Sequence, residues 1–381
     1  MNSAASASAT ATASAPLAGL TVLDLTELLP GPYATQQMVE MGATVIKVER
    51  PGGDNARGMF PGLFSAVNRG KKSIVLDLKT DADRATLQQL AQRADVLIEG
   101  YRPGVTARLG IDYASLSALN PRLIYCSISG YGQTGPARLW PGHDLNYAGM
   151  AGVVALSGHG SEPDYSIGIP VGDLAAAMYA LVSILGALHS RARTQKGQYL
   201  DVAITDALAS WVVPRLGVWN EARQKGEVFD KSKLMNHPGY GIFRTQDRRH
   251  ITIGAIETPF WRRLVQALQL QEFADPAYED FATRSKAYDA ITAALAQRIA
   301  TQSYAHWAAL LESVDVPYGP LNTLDDLADD PQLKARGLVQ QIGKEQMIAF
   351  PVPMQGIAGV AQGVPALGAH QAEVLQGLTA R

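Results

Sequence analysis

The stretch from Gly142 to Asp173 contains the residues best suited to chemistry in this sequence. It opens with Gly-His-Asp-Leu-Asn-Tyr, which places His143 beside Asp144, and it closes with Pro-Val-Gly-Asp, which ends at Asp173. Imidazole and carboxyl groups are common proton carriers in enzymes. A fold that brings His143 and Asp173 together would therefore hold two proton carriers at one site.

Each candidate also has a structural interpretation. Asp is a preferred N-cap residue, and Asp173 directly precedes an apolar segment. A carboxyl group at the mouth of such a segment is also partly desolvated, which raises its basicity. Backbone groups could satisfy His143 in a loop, and Glu257 could cap the helix that follows it. The residues alone leave both interpretations open.

Length and composition indicate a folded protein of two domains. At 381 residues the chain exceeds the usual size of one hydrophobic core. An apolar fraction of 47% and a charged fraction of 18% are typical of globular proteins. A net charge of -2 gives no general attraction to nucleic acid or to an anionic membrane, so we expect neither as a partner. The single cysteine, Cys126, fits a reducing compartment, and a cytoplasmic location is expected.

Two segments and the cysteine and histidine content argue against other classes of protein. Residues 1–16 are almost wholly Ala, Ser and Thr and are predicted to be a disordered tail rather than a signal peptide. The longest apolar run, 174–188, is shorter than the roughly 20 residues that span a bilayer, which predicts a buried core helix. One cysteine and scattered histidines give no metal-ligand spacing, so no metal is predicted.

Short apolar strands alternate with helical segments from Thr21 onward. Strands are predicted at 21–25, 44–48, 73–77, 95–99, 122–129 and 198–202, with helices at 33–41, 81–93 and 113–119. Such repeats of βα units predict an α/β fold, Rossmann-like in architecture, in which helices cover both faces of a parallel sheet.

The pattern changes in the second half of the chain. Residues 221–233 are polar and charged and are predicted to be a linker after a large domain at 17–220. A β-hairpin at 240–255 and three amphipathic helices follow, which predicts a smaller α+β domain at 234–330. Short strands and a helix then predict that 331–381 return to the large domain.

Basic residues cluster in the loops of the large domain. They follow or precede predicted strands at Arg50, at Arg69, Lys71 and Lys72 next to Asn68, and at Arg102 and Arg108. Several lie at the carboxyl ends of parallel strands, where open α/β sheets bind ligands, so a polyphosphate site is as plausible as an ordinary solvated rim. A dinucleotide site is disfavoured, because Leu-Leu-Pro-Gly-Pro-Tyr stands where Gly-x-Gly-x-x-Gly is required.

Several motifs resemble the family III CoA-transferases and α-methylacyl-CoA racemases, the CaiB/BaiF-like family. They are Val-Leu-Asp-Leu-Thr (22–26), Gly-Ala-Thr-Val-Ile-Lys-Val-Glu-Arg-Pro-Gly (42–52), Asn-Arg-Gly-Lys-Lys-Ser-Ile (68–74), Ala-Asp-Val-Leu-Ile-Glu-Gly-Tyr-Arg-Pro-Gly (94–104) and Ser-Gly-Tyr-Gly-Gln-Thr-Gly-Pro (129–136). The resemblance implies an interlaced homodimer with active sites between the large domain of one subunit and the small domain of the other. It also implies a coenzyme A thioester as substrate, without a permanently bound cofactor. The positions that the resemblance assigns to CoA binding are Arg50, Asn68, Lys71, Tyr101, Arg102 and Arg108.

The resemblance implies two alternative reactions at Asp173. In the transferases the matching aspartate attacks the thioester and forms an anhydride, and CoA then passes to another carboxylic acid. In the racemases it faces a histidine across the α-carbon, and the two exchange a proton through an enolate. Gly-His-Asp-Leu-Asn-Tyr and Gly-Ala-Ile-Glu (254–257) are similar to racemase segments, so all three racemase positions are filled, by His143, Asp173 and Glu257.

Racemisation of a 2-methyl-branched acyl-CoA is therefore the favoured function, with CoA transfer as the alternative. In this interpretation His143 and Asp173 form the acid-base pair, and Glu257 orients the imidazole. Asp144 and Tyr147 shape the substrate site. A CoA-binding protein without catalysis is disfavoured, because every candidate acid-base group is present.

Overall fold

The computed structural model describes residues 15–158, 164, 168–231, 236–357, 359–360 and 362–379. The described residues form two compact units. Unit 1 is drawn from the residues up to 158, from 164 to 217 and from 331 onward, whereas unit 2 runs from 218 to 330. Most of the tail predicted at 1–16 and part of the linker predicted at 221–233 lie outside the described residues.

A six-stranded parallel sheet forms the centre of unit 1. Its strands are β1 (Thr21–Leu25), β2 (Thr44–Glu49), β3 (Lys72–Val75), β4 (Val96–Glu99), β5 (Ile124–Ser129) and β6 (Tyr199–Ala203). Their order across the sheet is β3-β2-β1-β4-β5-β6, and each neighbouring pair is parallel. This order confirms the predicted α/β class and the Rossmann-like architecture.

Helices cover both faces of the sheet. The helices from residue 30 to residue 224, some of which lie in the loops, are α1 (Pro30–Glu40), α2 (Ala56–Met59), α3 (Pro61–Asn68), α4 (Asp81–Arg93), α5 (Val105–Leu109), α6 (Tyr113–Leu119), α7 (Asp144–Met150), α8 (Val153–Leu156), α9 (Val171–Thr194), α10 (Ile204–Trp211) and α11 (Val213–Gln224). Alternate strand residues face opposite sides, as strand geometry requires. One face, with Val22, Ile98 and Cys126, belongs to the core beneath α1 and α9, and the other, with Leu23 and Leu97, belongs to the core beneath α4.

The C-terminal segment also belongs to unit 1. It contains α16 (Pro331–Ala335), a hairpin of β10 (Val339–Ile342) and β11 (Glu345–Ile348), and α17 (Gln371–Thr379). The His370 amide donates to the Ser73 carbonyl at 2.9 Å, and Val374 joins the core on the α4 side of the sheet. Helix α11, by contrast, continues into the segment predicted as a linker and ends at Gln224.

Helix α9 is the long apolar helix predicted from the sequence. Its buried face is built mainly of alanines from Ala175 to Ala187, which let it approach the sheet closely. Its last turn is fixed by Arg191, whose Nη2 atom donates to Asp95 Oδ1 at 2.8 Å. Among the described residues, α9 is the one helix long and apolar enough to cross a membrane by length and composition. Because its alanines lie in the core of unit 1, we assign it to the interior of the fold.

A network of buried charges lies beneath the carboxyl edge of the sheet. Lys71 Nζ is 2.9 Å from Asp24 Oδ2, and Lys47 Nζ is 2.9 Å from Asp54 Oδ2, with all four side chains shielded from solvent. Burial alone would raise the pKa of Asp24, but Lys71, Lys47 and hydroxyl groups of neighbouring threonines hold that pKa well below its usual range. The network therefore keeps Asp24 ionised inside the protein.

Unit 2 has its own sheet and core. An antiparallel sheet contains β7 (Tyr240–Arg244), β8 (His250–Gly254) and β9 (Tyr318–Pro320), in that order, and its first two strands form the predicted hairpin. Its helices are α12 (Thr258–Leu268), α13 (Phe281–Lys286), α14 (Tyr288–Ile299) and α15 (Tyr304–Ser313). Trp261 and Trp307 are the largest side chains of the core.

The buried network predicts losses of stability of different size for substitutions at two adjacent lysines. Lys71→Met leaves Asp24 buried without its main cation and is expected to lower the free energy of unfolding by about 3–5 kcal/mol. Lys72 is partly exposed and pairs with exposed Glu373, so Lys72→Met is expected to cost about 1 kcal/mol or less. Urea unfolding followed by circular dichroism measures both variants. Equal losses of stability would contradict the structural role assigned to Lys71.

Candidate active site

A cleft lies at the carboxyl ends of β1 and β4, where the strand order of the sheet reverses. Open α/β sheets bind ligands at such a switch point, because the connections leave in opposite directions and open a crevice. The cleft has a volume of about 490 Å³ and is lined by Thr26 and Glu27 after β1 and by Gly100 and Tyr101 after β4. The fold thus places a cleft at the edge where the sequence concentrates polar residues.

His143 and Asp173 both line this cleft. His143 precedes α7 and is exposed, and its backbone N–H donates to Asn146 Oδ1 at 2.9 Å. Asp173 lies in the first turn of α9 and is half-buried. The structure therefore brings together two groups that are far apart along the chain.

Asp173 is not the N-cap that one interpretation of the sequence proposed. Helix α9 begins at Val171, so Pro170 is the N-cap and Asp173 is the third helical residue. Asp144 takes the capping role from outside the helix. Its Oδ1 atom accepts from the backbone N–H of Gly172 at 2.6 Å and of Asp173 at 3.0 Å. Asp144 thus holds the start of α9 in place beside His143.

The environment of Asp173 changes its acidity. Burial raises the pKa of Asp173 to about 7, and the negative charge of Asp144 contributes to the rise. A carboxyl group with this pKa can accept and release a proton near neutral pH, as general acid-base catalysis requires. This position at the cleft gives Asp173 the properties of a proton carrier.

Tyr147 closes one side of the cleft. Its hydroxyl donates to the carbonyl of Gly142, and its ring packs edge-on against Tyr131 with the centroids 5.1 Å apart. A Cβ atom at Gly130 would lie 2.2 Å from the Tyr147 ring, so only glycine fits at that position. Burial raises the pKa of Tyr147 to about 12, which keeps the phenol neutral. Tyr147 therefore forms part of the cleft wall, and its role in substrate binding stays a prediction.

A second cleft of about 270 Å³ adjoins the first. The two share Thr26, Glu27, Tyr101 and Val105, and the second is also lined by Arg50, which forms an exposed ion pair with Glu27 at 3.0 Å. Its apolar wall includes residues of the α4-side core, such as Leu76 and Leu78. The two clefts are thus neighbours at the carboxyl edge of the sheet.

The predicted CoA-binding residues separate into two groups. Arg50 and Tyr101 line the second cleft, Arg102 lines the first, and Arg108 is exposed in the short helix α5 between Val105 and Leu109. These four are placed where a ligand could reach them.

Asn68 and Lys71 form the other group, whose side chains are buried, and their role in CoA binding stays a prediction. Lys71 Nζ is buried and donates to Asp24, to the Pro32 carbonyl, to Thr35 and to Asn68 Oδ1 at 2.7–3.0 Å. The Asn68 side chain is also buried and donates to the Phe64 carbonyl at 3.0 Å. These side chains hold the protein together at the edge of the sheet rather than facing the clefts.

Glu257 lies in unit 2. It is the N-cap residue of α12 and is exposed, and its backbone carbonyl accepts from the Trp261 N–H at 2.9 Å. The preceding Ile256 carbonyl accepts from Nη2 of buried Arg284 at 2.6 Å, which fixes the turn. The role of Glu257 in orienting an imidazole stays a prediction.

Three residues of the larger cleft were missed from the sequence. Thr26 and Glu27 follow β1, and Ser129 ends β5. Their positions at the ends of neighbouring parallel strands were the available signal, because such ends meet at the ligand-binding edge.

Comparison with known proteins agrees with the motifs noted above. Residues 17–371 match the family model for CoA-transferase family III. The chain is 35% identical to acetyl-CoA:oxalate CoA-transferase from Acetobacter aceti over 351 residues, 90% of each chain. It is 30% identical to human alpha-methylacyl-CoA racemase over 373 residues, 94% of this chain and 92% of the racemase. A crystal structure of a CAIB/BAIF family protein from Brucella suis superposes with a TM-score of 0.85 and 32% identity, covering 96% of this chain and 99% of that protein.

The contact between Asp144 and the start of α9 predicts a measurable change in acidity. Asp144→Asn keeps an oxygen that can accept from the two amides but removes the charge, so the pKa of Asp173 is expected to fall below about 7. It should stay above the ordinary Asp value, because burial is the larger cause of the rise. Carbon-13 NMR titration of labelled aspartates measures it, with Asp173→Ala identifying the resonance. An unchanged pKa would contradict the electrostatic role of Asp144.

Proposed function

Because the chain belongs to CoA-transferase family III, we propose that it binds an acyl-CoA thioester and inverts the α-carbon of a 2-methyl-branched acyl group. The observation that carries this proposal is that His143 and Asp173 line one cleft. Two proton carriers on opposite sides of an α-carbon can remove a proton from one face and return one to the other. The chemistry needs no metal, since the thioester carbonyl delocalises the charge of the intermediate.

The reaction can be written for both directions. When Asp173 is ionised, its carboxylate takes the α-proton, and the electron pair moves onto the thioester oxygen to form an enolate. Protonated His143 then donates a proton to the opposite face, which restores the carbonyl with inverted configuration. In the reverse direction neutral His143 is the base and protonated Asp173 is the acid. A pKa of about 7 at Asp173 supports both roles near neutral pH.

CoA transfer is the second candidate, favoured by the 35% identity to acetyl-CoA:oxalate CoA-transferase. In that reaction the Asp173 carboxylate attacks the thioester carbonyl, and the C–S bond breaks to release CoA thiolate. An acyl anhydride with Asp173 remains. The acceptor carboxylate then attacks the Asp173 carbonyl of this anhydride, which releases the donor acid and leaves an anhydride between Asp173 and the acceptor. CoA thiolate finally attacks the acceptor carbonyl, which forms the new thioester and frees the Asp173 carboxylate. This sequence uses one nucleophile and gives no direct role to His143.

Exchange of the α-proton distinguishes the two reactions. With one enantiomer of a 2-methylacyl-CoA in deuterated water and no acceptor acid, we expect deuterium at the α-carbon and both configurations in the product. Asp173→Asn and His143→Gln should each lower the rate of racemisation by about 10²–10⁴-fold. His189→Gln, an exposed histidine on α9 outside the cleft, is the matched control and should keep the wild-type rate.

A CoA-transferase would give different results in the same experiments. Absence of exchange, together with passage of CoA from acetyl-CoA to labelled oxalate, would contradict racemisation and support the transferase. In that case a hydroxylamine-sensitive acyl adduct should form on Asp173, and His143→Gln should still form it.

We also propose that the protein is a homodimer, as the resemblance implies. Apolar side chains remain exposed on α9 and on the two helices after β6. They are Met178, Tyr179, Val182, Trp211, Val213 and Leu216. Val182, for example, is 59% exposed in the middle of α9, which is unusual for a residue of an apolar helix unless another surface covers it.

Sedimentation velocity tests the dimer. The wild-type protein is expected at about twice the chain mass of 40.7 kDa. Val182→Asp places a charge on the exposed apolar face and should reduce the dimer fraction, whereas Ala192→Asp near the end of α9 should not. A monomeric wild-type protein would contradict the proposal.

A further inference from the structure

We propose that the hydroxyl group of Ser129 binds an amide of the pantetheine arm of the coenzyme A ligand. The inference rests on the proposed function for the identity of the ligand, but it holds for either reaction. Pantetheine contains two secondary amides, each with one N–H donor and one carbonyl acceptor. A serine hydroxyl can donate to the carbonyl or accept from the N–H.

Ser129 carries an unsatisfied polar atom in the larger cleft. It is the last residue of β5, and its Oγ atom is shielded from solvent without a hydrogen-bond partner in the part of the chain that the structure describes. The neighbouring Gly130 carbonyl is already bound twice by Thr205, through its N–H at 3.0 Å and its hydroxyl at 2.7 Å. A buried hydroxyl without a partner is costly, so a polar ligand atom that satisfies it gains affinity.

The serine two residues earlier shows the contrast. Ser127 lies on the same side of β5, because alternate strand residues share a face. Its hydroxyl donates to Glu99, and Tyr199 donates to it at 3.1 Å. Ser127 is therefore satisfied by the fold itself. Ser129 occupies the next equivalent position and lines the larger cleft, but its hydroxyl has no such partners among the described residues.

An extended ligand that occupies both clefts would pass the residues that line the larger one, including Ser129. The smaller cleft opens on the face of the sheet that holds Leu76 and Leu78, whereas Asp173 belongs to α9 on the opposite face. A ligand that reaches from one to the other must cross the carboxyl edge of the sheet. By strand alternation Ser129 lies on the side of Tyr125, in the core beneath α4. In the proposed binding mode, Ser129 therefore contacts the pantetheine arm, while the acyl group lies further along, at Asp173.

Calorimetric titration with free coenzyme A tests the proposal, because CoA contains the arm but no thioester. Ser129→Ala is expected to weaken CoA binding about 3–10-fold. Ser129→Thr retains the hydroxyl and should restore most of the affinity. Ser129→Ala should not lower the melting temperature, because it removes an unsatisfied group. Ser127→Ala is the matched control: it should lower the melting temperature and leave the Kd for CoA unchanged.

The outcomes separate the two proposals. If the wild-type protein binds no CoA, the proposed function fails. If the wild type binds CoA and Ser129→Ala binds it equally well, the role of Ser129 is overturned. A loss of melting temperature in Ser129→Ala equal to that in Ser127→Ala would overturn it as well, since a structural role would then explain the position. If Ser129→Ala lowers kcat rather than affinity, the hydroxyl contacts the thioester instead of the arm.

Discussion

The buried lysine-aspartate network beneath the carboxyl edge of the sheet is the interaction on which the clefts depend. Removing charges from water costs several kcal/mol per ion, and only dense hydrogen bonding offsets that cost. Here the same groups also bind the backbone: Lys47 Nζ donates to the Thr26 carbonyl at 2.9 Å, and the Thr26 N–H donates to Asp24 at 3.0 Å. Because Thr26 lines both clefts, the network fixes the turn that separates them.

Two aspartates near the same edge acquire opposite acidities from their surroundings. The pKa of Asp24 is held low, since cations and hydroxyls outweigh the effect of burial. The pKa of Asp173 is raised to about 7 by burial and by the charge of Asp144. Two groups of the same type can have different roles when their environments give them different pKa values. Asp24 is a permanent structural anion, whereas Asp173 changes its protonation state in the range where enzymes operate.

Local patterns in the sequence predict the fold well, whereas contacts between distant residues cannot be predicted from them. Strand 21–25 and helix 81–93 coincide with β1 and α4, because buried parallel strands are continuous apolar runs and amphipathic helices repeat every turn. The burial of Lys71 cannot be predicted from its own motif, since it depends on Asp24, a residue far along the chain. Likewise, Asp173 was read as a possible cap because the true capping group, Asp144, comes from another helix. The convergence of His143 and Asp173 on one cleft depends on the order of the strands in the sheet, which the sequence pattern does not give.

The acidity of Asp173 also bears on which reaction the site favours. The α-carbon and the thioester carbonyl carbon of an acyl-CoA are bonded to each other. The position of Asp173 in the cleft therefore hardly distinguishes proton transfer from nucleophilic attack. A nucleophilic carboxylate must be ionised, and a pKa of about 7 leaves a large fraction protonated at neutral pH. For a proton carrier the same value is close to the optimum. The charge of Asp144, which contributes to this pKa while its oxygen holds the start of α9, therefore supports the proton transfer that we propose for this cleft.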